Sequence, residues 1–197
     1  VLAATIVSSA SAMALTASAV ENDNAVSAAN NNLQRNVQDG VILHAFNWSY
    51  KTIKENLPAI AAAGYSTVQT SPVQQPKDYS TSRDVTGQWW KLYQPVSLSV
   101  AKNAWFGTKD ELKDLCTEAE KYGIKIICDF FSNHMGNESE DTPNVVSSQV
   151  KTYDPEIYDN ASAFFRNNDI VASDSSVKNV VQGHVTSCPD LKTNSKV

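Results

Sequence analysis

The chain has 197 residues, 42% of them apolar, and a formal net charge of −5. That length carries one ordinary domain with a real core, and the apolar share excludes a disordered chain. The acidic balance, with Lys and Arg scattered, argues against nucleic acid or an anionic membrane surface as a partner.

Val1 to Ala19 is apolar, rich in small residues and uncharged, and it ends in Ala17-Ser18-Ala19 ahead of Glu21 and Asp23. This reads as the apolar region and cleavage site of a secretory signal (residues 1–19) that lacks its basic start, so export is expected. Ser and Thr interrupt the stretch and no basic stop follows, which disfavours a membrane anchor. Both ends of the chain read as cut. Residues 20–38 are expected to form a mobile leader. The three cysteines, Cys116, Cys128 and Cys188, are odd in number and irregular in spacing. They are no disulfide framework and no zinc pattern, and buried free thiols are expected.

Gly40 to Trp48 predicts a strand that runs into a polar and aromatic end. Tyr50 to Ala63 predicts a helix whose apolar stripe is Ile53, Leu57, Ile60 and Ala61. Pro58 either kinks that helix or restarts it, and Gly64 is a good stop. Tyr65 to Thr70 predicts a second strand, ended by Ser71-Pro72. Pro72 to Gly107 is a long polar stretch that holds Trp89, Trp90, Tyr93 and Trp105. So long a loop in a compact domain implies function. Thr108 to Glu111 fits a capping box, and Leu112, Leu115, Cys116, Ala119 and Tyr122 form the stripe of the next helix, closed by Gly123. Gly123 to Ile127 then predicts a buried strand.

The order strand, helix, strand, loop, helix, strand implies a parallel α/β sheet with right-handed crossovers. Three strands cannot bury both faces alone, so the series either closes into a barrel or stays a small open sheet. From Met135 onward polar residues dominate, with short patches at Val145-Val146 and Val180-Val181. This reads as an irregular excursion from the end of the third strand.

Asp129, Asn133 and His134 fall at the C-terminal end of that strand, where parallel folds place their ligands. Trp89-Trp90 through Tyr93 sets three rings in five residues of a loop. Such rings either pack on the apolar faces of sugars or plug the end of the sheet. An amide oxygen at Asn133 suits a calcium ion, which needs roughly six to eight oxygens. Asp190 is a second candidate donor, or a turn residue. No Gly-rich phosphate loop follows the first strand, which counts against a nucleotide fold. Three Asn-x-Ser sequons begin at Asn47, Asn137 and Asn160.

At these residues the sequence resembles the α-amylase family of glycoside hydrolases. Asp129-Phe130-Phe131-Ser132-Asn133-His134 is similar to the family's first signature. Gly64 to Pro72 resembles its second strand, Trp89-Trp90 to Gln94-Pro95 the segment after that strand, and Pro189-Asp190-Leu191 the short motif near the end of domain B. The resemblance implies the N-terminal part of a (β/α)8 TIM barrel: barrel units over residues 39–134, an irregular domain B inserted after the third strand over 135–190, and a return toward the barrel over 191–197. It implies a secreted, monomeric enzyme that hydrolyses internal α-1,4 bonds of starch-like glucans with retention. Carried over residue by residue, Tyr93 and His134 meet the sugar at the cleavage subsite, and Trp89, Trp90 and Gln94 line adjacent subsites. Asn133 and Asp190 bind a structural Ca²⁺, and Asp129 braces the strand end. Retention needs two carboxylates about 5–5.5 Å apart. In the family these and a third acid lie on later strands, and no residue here matches them. The chain alone is therefore expected to be inactive. A non-catalytic glucan-binding protein on the same fold, or a transglycosylating relative, are the alternatives.

Overall fold

The structure is a computed structural model that describes residues 33–78, 89–165 and 188–192. The expected signal, most of the expected leader and the Val180-Val181 patch lie outside the described residues. In chain order the strands are β1 (Ile42–His44), β2 (Thr67–Pro72), β3 (Gln74–Pro76), β4 (Pro95–Val100), β5 (Lys125–Asp129), β6 (Asn137–Ser139) and β7 (Thr142–Val146). The helices are α1 (Tyr50–Ala62), α2 (Lys109–Lys121), α3 (Val150–Tyr153), α4 (Pro155–Asp159) and α5 (Ala161–Phe164). The described residues divide into two compact units, one of 33–70 and 110–127, the other of 71–78, 89–109, 128–165 and 188–192.

The first unit is built on a sheet in the order β1-β2-β5. β1 pairs with β2 in parallel, Ile42 opposite Thr67 and His44 opposite Gln69. β1 is shorter than the sequence suggests. Asn47 takes a left-handed φ of 62°, which an Asn tolerates, so the chain turns at Phe46-Asn47. Helix α1 starts at Ser49, whose hydroxyl accepts the N–H of Thr52 at 3.1 Å. All four residues of its expected stripe are buried. Each fully buried aliphatic side chain contributes roughly 1.5–3 kcal/mol. That outweighs the bond lost at Pro58, which costs about 3 kcal/mol, and α1 stays one helix.

Both helices end in the same way. The N–H of Gly64 donates to Ala61 and that of Tyr65 to Ile60; Gly123 donates to Glu120 and Ile124 to Ala119. These are Schellman closures that need a left-handed residue, and the glycines supply φ of 87° and 69°. Leu112, Leu115 and Ala119 are buried on α2, but Cys116 is exposed. Ahead of β1, Val37–Asp39 forms a 3-10 turn and the Gln34 carbonyl accepts Lys125 Nζ at 3.1 Å. The last part of the expected leader is therefore ordered.

The second unit corrects the expectation of a long irregular loop. β3 and β4 form an antiparallel ribbon, Gln74 opposite Val100 and Pro76 opposite Pro95, with an irregularity between. Its polarity misleads because its amides are inside. Gln74 and Gln75 are each 1% exposed, and Gln75 Oε1 accepts the N–H groups of Lys102 and Asn103, both at 3.2 Å. β6 and β7 form an antiparallel hairpin. The single-turn helices α3 to α5 are too short to stand alone and rely on packing. Val96, Met135, Val146, Val150 and Phe165 form the core they share. Asp154 ties α4 to the ribbon by accepting the N–H of Leu98 at 2.7 Å. Cys188 is buried as expected, but Cys128 is exposed, because β5 is only partly covered along its length.

Candidate functional site

All the candidate residues lie in the second unit. β5 delivers Asp129 at its end, and the Asp129 carbonyl accepts the N–H of Val73 at 3.1 Å. Beyond the strand, Phe131 is held by a side chain that sequence reasoning missed. Gln74 Nε2 donates to the Phe131 carbonyl at 2.8 Å, while Gln74 Oε1 accepts the Phe131 N–H at 2.6 Å. The same Nε2 lies 3.3 Å from the carbonyl of Ser97. One buried amide thus satisfies both polar groups of an irregular residue. No periodicity or motif marks Gln74 in the sequence.

On this support the rings assemble. Tyr93 meets Phe131 edge to face at 4.9 Å between centroids, Trp89 meets Tyr93 at 6.2 Å, and Phe131 lies 5.4 Å from His134. Trp89 is 55% exposed, so its ring stands in water beside the cluster. Trp89–Tyr93 is a 3-10 turn whose Lys91 carbonyl accepts the N–H of Gln94 at 2.9 Å. His134 Nε2 lies 2.9 Å from the Tyr93 carbonyl. A carbonyl only accepts, so Nε2 carries the proton. Nδ1 then accepts from Asn133 Nδ2 at 3.3 Å. Burial raises the pKa of the Tyr93 phenol, and the carboxylate of Asp129 raises it further. Tyr93 is a neutral hydroxyl at ordinary pH.

Asn133 Nδ2 also donates to Asp190 Oδ1 at 3.1 Å. The backbones meet as well: His134 bridges to Asp190, Leu191 N–H donates to Asn133 at 2.9 Å and Met135 N–H to Pro189 at 3.2 Å. Asn133 and Asp190, 57 residues apart, are thus neighbours. Among the described residues no three His, Cys, Asp or Glu side chains cluster as a metal site. Asn133 and Asp190 supply one amide and one carboxylate, hard donors of the type a calcium ion takes.

One expected residue, Gln94, sits differently. Gln94 is only 8% exposed. Its side chain hydrogen-bonds Cys188, whose thiol is pushed up to about 11 by burial and by Asp190, against opposing pulls from Asn137, Lys77 and Gln94. Gln94 therefore supports the floor from within, because Gly136 and the β4 backbone close over it. The Gly136 N–H donates to the Pro95 carbonyl at 2.7 Å. A Cβ on Gly136 would lie 3.2 Å from the Gln94 carbonyl. Trp90 is partly exposed and carries Lys91 Nζ 5.7 Å from its ring centroid.

Residues 50–170 match the family description "Alpha amylase, catalytic domain". The chain belongs to the α-amylase family. An α-amylase of Clostridium acetobutylicum is 46% identical over 132 residues, which cover 67% of this chain and 17% of that protein. The chain thus spans less than a fifth of that relative. Among solved structures, α-amylase I of Eisenia fetida, in a complex with maltohexaose, superposes with a TM-score of 0.57 at 22% identity, covering 80% of this chain and 32% of the other. A cyclomaltodextrin glucanotransferase superposes with a TM-score of 0.59 at 20% identity, covering 78% of this chain and 38% of the other. At such identity these likenesses speak to the fold. It is of the TIM-barrel type, and this α-amylase family chain displays part of it. Lys125 N–H donates to Ser66 and Val73 N–H to Asp129, so the β2–β5 pairing advances in one direction on both strands and is parallel, like β1–β2.

Proposed function

We propose that the protein is a glycoside hydrolase that cleaves internal α-1,4-glucosidic bonds of starch-like glucans with retention. The observation that carries this reading is the cluster of Tyr93, Phe131 and His134 on the family's first signature, with Trp89 exposed beside it. Ring faces offer the apolar half of a sugar a flat surface. The phenol offers a hydrogen bond to its hydroxyls, and the His134 ring, held through both nitrogens by Tyr93 and Asn133, packs beside it. In this reading residues 135–190 are domain B, and Asn133 and Asp190 contribute to a Ca²⁺ site that ties its two ends together. The ion would supply charge to hold that junction, and the chemistry stays with carboxylates that the resemblance assigns to later strands. This segment would bind and orient the glucan without cleaving it. The protein would be exported and act as a monomer.

The test is the complete encoded protein on amylose. The reading expects a rapid fall in viscosity ahead of the release of reducing ends, and products formed first as the α-anomer by NMR. Cyclic products would move it to the transglycosylating branch. Amylose binding without new reducing ends would leave only a binding protein.

A further inference from the structure

Lys77 and Asp78 follow β3 directly and reach two different partners. Lys77 is 8% exposed, and its ammonium donates to Asn137 Oδ1 at 3.0 Å and to the Glu138 carbonyl at 3.1 Å. Asp78 holds a left-handed backbone with φ of 60°. Its N–H donates to Gln149 Oε1 at 2.9 Å, and Gln149 Nε2 donates back to the Asp78 carboxylate. The other carboxylate oxygen lies 2.9 Å from Lys91 Nζ. The Lys91 side chain is only 16% exposed, and its ammonium sits between that carboxylate and the face of Trp90. Lys91 is the middle residue of the Trp89–Tyr93 turn.

We propose that Asp78 is a positioning residue for the aromatic floor: through Lys91 it fixes the Trp89–Tyr93 turn, and with it the surface a glucan chain meets. The inference rests on the glucan reading and deepens it. A left-handed non-glycine residue persists where its surroundings over-determine it, and Asp78 is held on its N–H and on both carboxylate oxygens. A charge-assisted bond to a shielded ammonium is stronger than an ordinary surface pair. Order already present in the free protein need not be imposed when substrate binds. The pair therefore acts on binding, whereas Lys77, buried against the β6 hairpin, acts on stability.

The experiment measures kcat, KM on amylose and thermal stability for the complete protein and its variants. Asp78→Asn removes the charge with a side chain that tolerates the left-handed backbone. Asp78→Asn and Lys91→Met are each expected to raise KM about five-fold, with kcat and melting temperature close to wild type. The double variant should be no worse than either single one, and Lys91→Arg should keep the wild-type KM. Lys77→Met should lower the melting temperature and leave KM unchanged in the folded fraction. An unchanged KM in Asp78→Asn, or a double variant whose KM rise is the product of the two singles, overturns the inference alone. Wild-type protein that neither binds nor cleaves amylose removes the glucan reading and this inference with it.

Discussion

Gln74→Ala is the perturbation whose cost follows most directly from the structure. Gln74 is 1% exposed and spans three backbone groups, the N–H and carbonyl of Phe131 and the carbonyl of Ser97. A buried polar group left unpaired costs about 1–3 kcal/mol. Phe131 is partly exposed, so water can reach its two groups, and the Ser97 contact is long at 3.3 Å. Taking about 1 kcal/mol for each of the three groups, plus about 1 kcal/mol for the lost packing, gives about 4 kcal/mol. That is a large part of the ~5–15 kcal/mol that holds a domain together. Urea unfolding of the complete protein, followed by near-UV circular dichroism, reads the loss as a lower midpoint. Gln74→Glu separates hydrogen bonding from volume. Its carboxylate still accepts from the Phe131 N–H but has no donor for either carbonyl, so it should recover no stability over Ala. A Gln74→Ala protein within about 0.5 kcal/mol of wild type would refute the clamp.

Other outcomes follow from the same contacts. Burial alone would raise the Asp78 pKa, but hydrogen bonds from Lys91 and Gln149 and the charges of Lys91 and Lys77 bring it below its usual 3.8. Its stabilising contribution is therefore present above that value and lost as pH falls through the lower folded pKa. The stability gap between wild type and Asp78→Asn is small at neutral pH, about one or two degrees in melting temperature, and should close by about pH 3. Chelation should lower the melting temperature of wild type, and Asn133→Ala or Asp190→Ala should abolish the response. Calcium at about a hundred times its Kd contributes about 2.7 kcal/mol. Gly40→Ala drives a Cβ into Ser66 Oγ. It should cost about 1–3 kcal/mol, and adding Ser66→Ala should recover most of this in a denaturation series.

The elements with strong apolar periodicity are legible in the sequence. Ile53, Leu57, Ile60 and Ala61 mark the buried face of α1, and Gly64 and Gly123 mark both helix ends with the left-handed turns they permit. The meeting of Asn133 with Asp190 and of Tyr93 with His134 follows from signature residues, because the fold brings distant segments together there. The β3–β4 ribbon is not legible. Its inward residues are amides, whose burial depends on backbone partners far along the chain. Gln94 misleads for a related reason: a polar side chain beside a ring cluster can turn inward toward a buried thiol, here that of Cys188. Asp78 carries no pattern at all, since no periodicity or motif links it to a partner thirteen positions on.

The most direct measurement is kcat/KM on amylose for the complete protein beside its Tyr93→Ala variant. A floor in which Tyr93 carries the reacting sugar predicts measurable turnover by wild type and a loss of about a hundred-fold in the variant, with the melting temperature held within a few degrees. Equal kcat/KM in the two proteins, at equal stability, would contradict it.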